Sequence, residues 1–319
     1  MSEALSLDQM GSGTSATAIN LPAGVSVKPT DGPSGTVIEG LDLQSDLTGE
    51  EIFSLISIFN HSGFMIIKGQ ERLTPERQCE FTRWFGKPFA RGDKGDKLPM
   101  VGSLPLQLLS NRDTRKPGKQ VISQEDDIHN SANQALGWHS DVQDYDVPPD
   151  VTILHGVEIP PPSAGGCTYF VNMYQAFEEL DAETQAQILH MKWRPASTYA
   201  TMKGVKQRGA MEDDRPVEDS PVEHPVVRTH PVTGRKALWI TPGFSVALAG
   251  FEADPEAGDA LLNRLKAHIT QPHLIYTHTW EKHDVICWDN RCVMHARDTW
   301  DRSYLREMHR SQAGGSAPY

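Results

Sequence analysis

Short apolar runs closed off by turn residues constrain this chain more than any other feature. Phe64-Met65-Ile66-Ile67 is the most apolar of them, and its length suits a strand and falls far short of a bilayer span. Further strand signals lie at Val25-Ser26-Val27, Thr36-Val37-Ile38, Val101 to Leu109, Val151 to His155 and Cys167 to Val171. In the last third they recur near 225–229, 236–240, 275–280 and 284–288. Turn formers separate them, as in Pro29-Thr30-Asp31-Gly32-Pro33-Ser34-Gly35, Pro160 to Gly166, and Thr233-Gly234. Helical periodicity is local. Thr48 and Glu51 have capping-box spacing ahead of Ile52, Leu55, Ile56 and Phe59, which predicts a helix over about 49–61. Thr74-Pro75 starts a second helix that Gly86-Lys87-Pro88 stops, and helical stretches follow near 174–180, 182–190 and 255–269. Many short strands and few helices predict a mainly β chain, a sandwich or jelly roll with helices packed outside.

The segment Gly137-Trp138-His139-Ser140-Asp141 carries the chemistry. If it is extended, His139 and Asp141 project to the same side and reach one cation. With His295, far downstream, they would form a facial triad of two imidazoles and a carboxylate. Such a triad leaves three positions of an octahedron open, which is what a non-haem Fe(II) oxygenase needs for a cosubstrate and O2. Taken singly the same residues read otherwise: a His-x-Asp pair mostly makes surface hydrogen bonds, and a lone His295 is a hydrogen-bonded structural histidine. Cys292 to His295 has C-x-x-H spacing but no second ligand pair for zinc. The four cysteines, Cys79, Cys167, Cys287 and Cys292, therefore read as buried, small and apolar. His268, His273, His278 and His283 recur at a period that fits neither helix nor strand, and read as unrelated surface or turn histidines.

Charge excludes one large class of function. With 30 Lys and Arg against 42 Asp and Glu, the net charge of -12 argues against a nucleic-acid binder. No run is long enough for a membrane span, and Met1-Ser2-Glu3-Ala4 does not open a secretory signal. Four cysteines in 319 residues are not a disulfide framework, so the expectation is a cytoplasmic protein. Residues 1–23, rich in Ser, Gly, Ala and Thr, are expected to form a disordered tail, and residues 24–319 a single domain. Two irregular stretches, about 90–137 and 200–222, are long enough to predict lids.

In order along the chain stand Trp138-His139-Ser140-Asp141, Gly165-Gly166-Cys167-Thr168, His224-Pro225-Val226-Val227-Arg228-Thr229-His230-Pro231, and Trp288-Asp289-Asn290-Arg291 before His295. This series resembles the taurine dioxygenase (TauD/TfdA) family of Fe(II)- and 2-oxoglutarate-dependent oxygenases, over about residues 25–313. The resemblance implies a double-stranded β-helix (jelly roll) core with flanking helices and two lid insertions. It implies iron on His139, Asp141 and His295, and a 2-oxoglutarate whose distal carboxylate is held by Thr168 and Arg306. Arg310 matches the family position that often binds an anionic group of the main substrate, and Tyr145 is the other pocket candidate. Periodicity gives separate support, because Arg306, Met308 and Arg310 share one strand face, and two inward arginines are costly unless anions meet them.

As an activity, the resemblance implies a dioxygenase that decarboxylates 2-oxoglutarate to succinate and CO2, using O2, and hydroxylates an aliphatic C-H bond of a small, anionic substrate. Desaturation or oxidative cleavage stays open, as does a non-catalytic carboxylate sensor of the same fold. Family members often self-associate, so a homo-oligomer also stays open. Phe85-Gly86 is followed by Lys87-Pro88-Phe89-Ala90-Arg91 without the histidine of the taurine enzymes, and Ala135 replaces their asparagine, which argues against taurine itself.

Overall fold

The computed structural model describes residues 19–89, 100–111, 136–195 and 222–319. The lids expected over 90–137 and 200–222 fall mainly outside the described residues, and so does the expected tail up to residue 18. From residue 19 the chain is held. Ile19 and Leu21 pack against the core beneath the first helix, and the Asn20 amide donates to Ser54 Oγ at 3.0 Å.

Two antiparallel-rich sheets form a jelly-roll core. The larger has seven strands, in the order Ser26–Pro29, Thr36–Glu39, Phe64–Ile67, Val285–Asp289, Val151–Glu158, Glu307–Ala313 and Gln107–Ser110. The smaller has four, in the order Ile275–His278, Thr168–Asn172, Val293–Arg297 and Leu136–His139. Their inner faces meet in one apolar core, where the Phe64 and Phe170 rings stack at 4.6 Å. The unbroken apolar run Phe64–Ile67 is explained by cover on both faces. Phe64 and Ile66 enter the core between the sheets, while Met65 and Ile67 enter a second core under the helices. Val285 and Cys287 alternate in the same way with Ile286 and Trp288.

The predicted caps form. Helix Gly49–Ser62 begins at Thr48, whose Oγ1 accepts from the Glu51 amide at 3.2 Å while Glu51 Oε2 accepts from the Thr48 amide at 2.7 Å. It buries Leu55, Ile58 and Phe59. Helix Pro75–Arg83 follows its Thr74 cap and touches strand Glu307–Ala313 through Thr82 Oγ1 and Ser311 Oγ, 2.7 Å apart. Helix Pro255–Ile269 covers the other core with Leu261, Leu262, Leu265 and Ile269. Among the described residues, no helix is long and apolar enough to cross a membrane.

Three strands have no counterpart in the sequence reading: Lys192–Pro195, Ser245–Leu248 and Val293–Arg297. The last is buried along its whole length, so no in-out alternation marks it, and it is the strand that carries His295. The extended reading of 137–141 also needs correction. The strand ends at His139, and Asp141 opens the turn that follows, where Val142 has φ 54°.

A cluster of histidines sits across two strands of the larger sheet. His155 lies opposite His309 in register, with ring centroids 6.2 Å apart, and the His283 ring lies 6.0 Å away. Burial first, then the His309 and His283 charges, push His155 down to about 4, and burial pushes His309 down as well. An unfolded chain titrates these imidazoles near their ordinary value of about 6.5, so it binds more protons than the folded one below that pH. Stability is therefore expected to fall as pH drops from about 6.5 toward 4, by up to about 3 kcal/mol for His155. Thermal unfolding of His155→Gln between pH 7 and 4.5 should show a shallower acid slope than the wild type. An identical slope would sink the assignment.

Candidate active site

His139 and His295 face each other across neighbouring strands of the smaller sheet, in direct register, with ring centroids 4.2 Å apart. Asp141 closes the third side, its Oδ1 lying 3.8 Å from His139 Nε2 and 3.9 Å from His295 Nε2. One ligand atom from each of the three lies within 4.8 Å of the others, close enough to share a cation. The His139 tautomer is set by Gly137, whose carbonyl accepts from Nδ1 at 2.7 Å, leaving the Nε2 lone pair turned toward Asp141. Burial pushes both imidazoles down, His295 to about 3, with the neighbouring His139 adding to that shift. For Asp141, burial pushes the other way but is outweighed by His295, Arg310, His139 and the Thr152 hydroxyl, which hold the carboxyl well below its usual range. Two neutral imidazoles and one carboxylate are the protonation states that a divalent cation requires.

Asp141 is fixed from the opposite sheet. Thr152 Oγ1 donates to Asp141 Oδ2 at 2.6 Å, and that hydroxyl accepts in turn from Asn290 Nδ2 at 3.0 Å and Gln312 Nε2 at 3.1 Å. With two donors already directed at its oxygen, the hydroxyl proton has only the carboxylate to go to. Asn290 Oδ1 accepts from Trp288 Nε1 at 3.1 Å, which fixes the amide orientation. Thr152→Val keeps the shape and removes this bond. Metal affinity is expected to fall by roughly 10- to 100-fold, as measured by competition with a chromogenic chelator. An unchanged dissociation constant would show that the bond does not set the carboxylate.

Arg310 approaches from strand Glu307–Ala313, its Nη1 3.8 Å from Asp141 Oδ1, and its Nε donates to Gln107 Oε1 at 2.7 Å. Arg306 lies just ahead of that strand, 2% exposed, with its guanidinium 5.2 Å from the Trp300 ring centroid. Among the described residues, Arg306 Nη2 finds no hydrogen-bond partner. Burial and the charge of Arg297 push Arg306 well below its usual range. A buried donor of this kind needs an acceptor from elsewhere, and a carboxylate fits it. Thr168 borders the same region, where its Oγ1 accepts from Trp280 Nε1 at 2.9 Å. Gly165 and Gly166, at φ 84° and 89°, take the left-handed conformation that glycine allows, and a Cβ on Gly165 would lie 2.7 Å from the Thr299 carbonyl oxygen.

The structure thus brings His139, Asp141, His295 and Arg310 into one cluster, while Arg306 lies against Trp300 and Thr168 is bonded to Trp280. Tyr145 sits on the turn after Asp141, its ring edge-on to Phe89 at 6.2 Å. The residues that sequence reasoning missed are the supports: Thr152, Gln312, Gln107, Trp280, Trp300 and Phe244, whose ring lies 5.6 Å from His139. Asn290 stood inside the Trp288-Asp289-Asn290-Arg291 motif, but nothing in the sequence assigned it to Thr152.

A second close group, His230, Asp289 and Cys292, is occupied by hydrogen bonds. His230 Nδ1 accepts from the Val232 and Thr233 amides, and Nε2 donates to Asp289 Oδ2 at 3.0 Å. Arg291 takes both Asp289 oxygens, at 2.7 and 2.6 Å, and reaches Asn60 on the first helix. No ring lone pair remains for a metal, so this group ties strand ends together. Cys79, Cys287 and Cys292 are buried as expected, whereas Cys167 is half-buried. His278 is not a surface histidine: it is buried, with Nε2 3.1 Å from Asp284 Oδ2.

Comparison with known proteins places this geometry. The family model described as "Taurine catabolism dioxygenase TauD, TfdA family" matches residues 26–312. The chain is 29% identical over 294 residues to the (S)-phenoxypropionate/alpha-ketoglutarate-dioxygenase of Sphingobium herbicidovorans, spanning 91% of this chain and 94% of that protein. It is 29% identical to the alpha-ketoglutarate-dependent 2,4-dichlorophenoxyacetate dioxygenase of Cupriavidus pinatubonensis, over 86% of this chain and 92% of that protein. Its fold is similar to the crystal structure of AAD-2 in complex with Mn(II) and N-oxalylglycine, with a TM-score of 0.73, 26% identity, and coverage of 92% of this chain and 98% of the other.

Proposed function

This chain belongs to the taurine catabolism dioxygenase TauD, TfdA family and is an Fe(II)- and 2-oxoglutarate-dependent dioxygenase, and on that premise we propose that it hydroxylates an aliphatic C-H bond of a small anion. In this reading His139, Asp141 and His295 hold the iron, and Thr168 and Arg306 hold the distal carboxylate of 2-oxoglutarate. Residues 24–319 act as a single oxygenase domain. The carrying observation is the cross-strand pair of neutral imidazoles aimed at an ionised, pinned Asp141.

When bound, iron and 2-oxoglutarate supply the oxidising power from O2, releasing succinate and CO2. The chain's own residues bind and orient. Thr152, Asn290 and Gln312 hold the Asp141 carboxylate in place, and Gly137 holds the His139 ring. Phe244, Phe170 and Trp288 lie against the imidazoles and keep that side of the site apolar. Arg310, steadied by Gln107, takes the anionic group of the substrate, which fixes the distance from that group to the reacting carbon. The relatives named for phenoxypropionate and 2,4-dichlorophenoxyacetate are named for carboxylates, which supports a carboxylate at Arg310.

Two measurements test this function in turn. Anaerobic titration of purified protein with Fe(II) and 2-oxoglutarate should give the weak visible charge-transfer band of the chelate, and His295→Ala should lack it. Succinate release should then be screened over aryloxyalkanoic acids, alkyl sulfates and alkyl sulfonates, each beside its neutral amide or alcohol. Neutral analogues turning over as well as the anions would overturn the anionic-substrate reading. A missing band in folded, iron-loaded wild type would overturn the site assignment.

A further inference from the structure

A cavity lies apart from the metal ligands, where the turn joining strands Ser26–Pro29 and Thr36–Glu39 meets the end of helix Gly49–Ser62. It measures about 460 Å³, which is within the range of small-molecule sites. Val293 lines it, two residues before His295 on the same strand, and none of His139, Asp141, His295 or Arg310 does. Gly35 lines it too and abuts the Phe64 ring so closely that a Cβ would not fit. Phe64 stacks on Phe170 at 4.6 Å, and the Phe170 ring lies 6.4 Å from that of His295, so two aromatic rings stand between this wall and the candidate iron ligand.

The walls offer polar groups at both ends of this space. Ser34 and Thr36 border it, and their hydroxyl oxygens are buried with no hydrogen-bond partner among the described residues; Thr36 is 0% exposed. Hydroxyls left in that state are costly unless a guest meets them. Arg235 stands on another wall, its guanidinium 4.2 Å from the Tyr174 ring centroid and its Nη2 donating to Glu178 Oε1 at 2.7 Å. One N–H is thus spent on Glu178, stacking steadies the fork, and the remaining donors suit a carboxylate. The Arg235 and Glu178 side chains are 34% and 54% exposed, which puts the charged pair toward solvent and the hydroxyls inside. Val27, Pro29 and Val293 supply apolar wall for a short carbon chain. We propose that this cavity is a second ligand site, for a small hydroxycarboxylate whose carboxylate meets Arg235 and whose hydroxyl meets Ser34 and Thr36. The site needs neither iron nor 2-oxoglutarate, so it stands independently of the proposed function.

Saturation-transfer NMR on Zn(II)- and 2-oxoglutarate-loaded protein tests this with glycolate, lactate, 3-hydroxybutanoate and 4-hydroxybutanoate, and with butanoate as the acid lacking a hydroxyl. At least one hydroxy acid is expected to bind. Arg235→Gln should weaken it by about tenfold or more, the loss of a charge-assisted contact. Thr36→Val keeps the shape of the wall and should weaken it by roughly 2- to 10-fold, one neutral hydrogen bond. Butanoate should not respond to Thr36→Val, because it brings no hydroxyl to that end. Arg310→Gln should leave hydroxy-acid binding unchanged, and neither cavity variant should alter 2-oxoglutarate affinity. No binding of any hydroxy acid to folded, loaded wild type overturns the proposal. Binding that Arg310→Gln abolishes and Arg235→Gln spares also overturns it, since the acid would then sit in the proposed substrate pocket. An equal effect of Thr36→Val on butanoate and the hydroxy acids would make Thr36 a packing residue and overturn the hydroxyl assignment.

Discussion

Asp141→Asn is expected to abolish iron-dependent turnover, by roughly a thousandfold or more, while the protein stays folded. The asparagine carbonyl can still accept from the Thr152 hydroxyl, so the Thr152-Asn290-Gln312 network keeps its acceptor. What disappears is the negative charge between His139 and His295, whose Nε2 atoms lie 3.8 and 3.9 Å from Asp141 Oδ1. Without it a cation would face two neutral rings and the positive Arg310, whose Nη1 lies 3.8 Å from Asp141 Oδ1. Metal affinity should collapse, while the melting temperature of metal-free protein should move little. Circular dichroism melts and chelator competition read these two effects separately. A variant that binds Fe(II) as tightly as the wild type would remove Asp141 from the ligand set.

The second large effect has opposite signs in stability and in binding. Arg306→Leu removes a fully buried guanidinium that burial and the charge of Arg297 already push well below its usual range, and whose Nη2 lacks a partner among the described residues. Replacing it with a hydrocarbon of similar bulk removes the desolvation penalty of an unsatisfied buried donor, about 1–3 kcal/mol, so the melting temperature without ligand should rise. The same change deletes a forked contact to a carboxylate, and 2-oxoglutarate affinity should fall by about a hundredfold or more. Thermal melts with and without saturating 2-oxoglutarate on Mn(II)-loaded protein measure both. A variant that is destabilised and still shows the full ligand-induced shift would show that Arg306 holds the fold and not the cosubstrate.

How much of this was legible in the sequence differs from element to element. The helix over 49–62 was readable because Thr48, Glu51 and the spacing of Leu55 and Phe59 are local signals. Strand Phe64–Ile67 was readable for the same reason. Strand Val293–Arg297 was not, because both of its faces are covered and its sequence mixes a histidine and an arginine into an apolar run. The three candidate metal ligands could be named from residue type and order. Their geometry could not, since Asp141 reaches the site from a turn and not from the strand. The supports were invisible for a plainer reason. Thr152, Gln312 and Gln107 are ordinary strand residues until long-range pairing sets each beside Asp141 or Arg310.

The candidate ligands and their supports do not come from one layer. His139 and His295 stand on the four-stranded sheet, while Thr152, Arg310 and Gln312 stand on the seven-stranded one, and Asp141 is held between them. An ion seated on all three donors would act as a clasp across the sandwich, so the spacing of the two layers and the grip on the ion become one quantity. A substitution deep in the apolar filling, such as at Phe64 or Phe170 where the rings stack at 4.6 Å, would then be felt at the clasp without touching it.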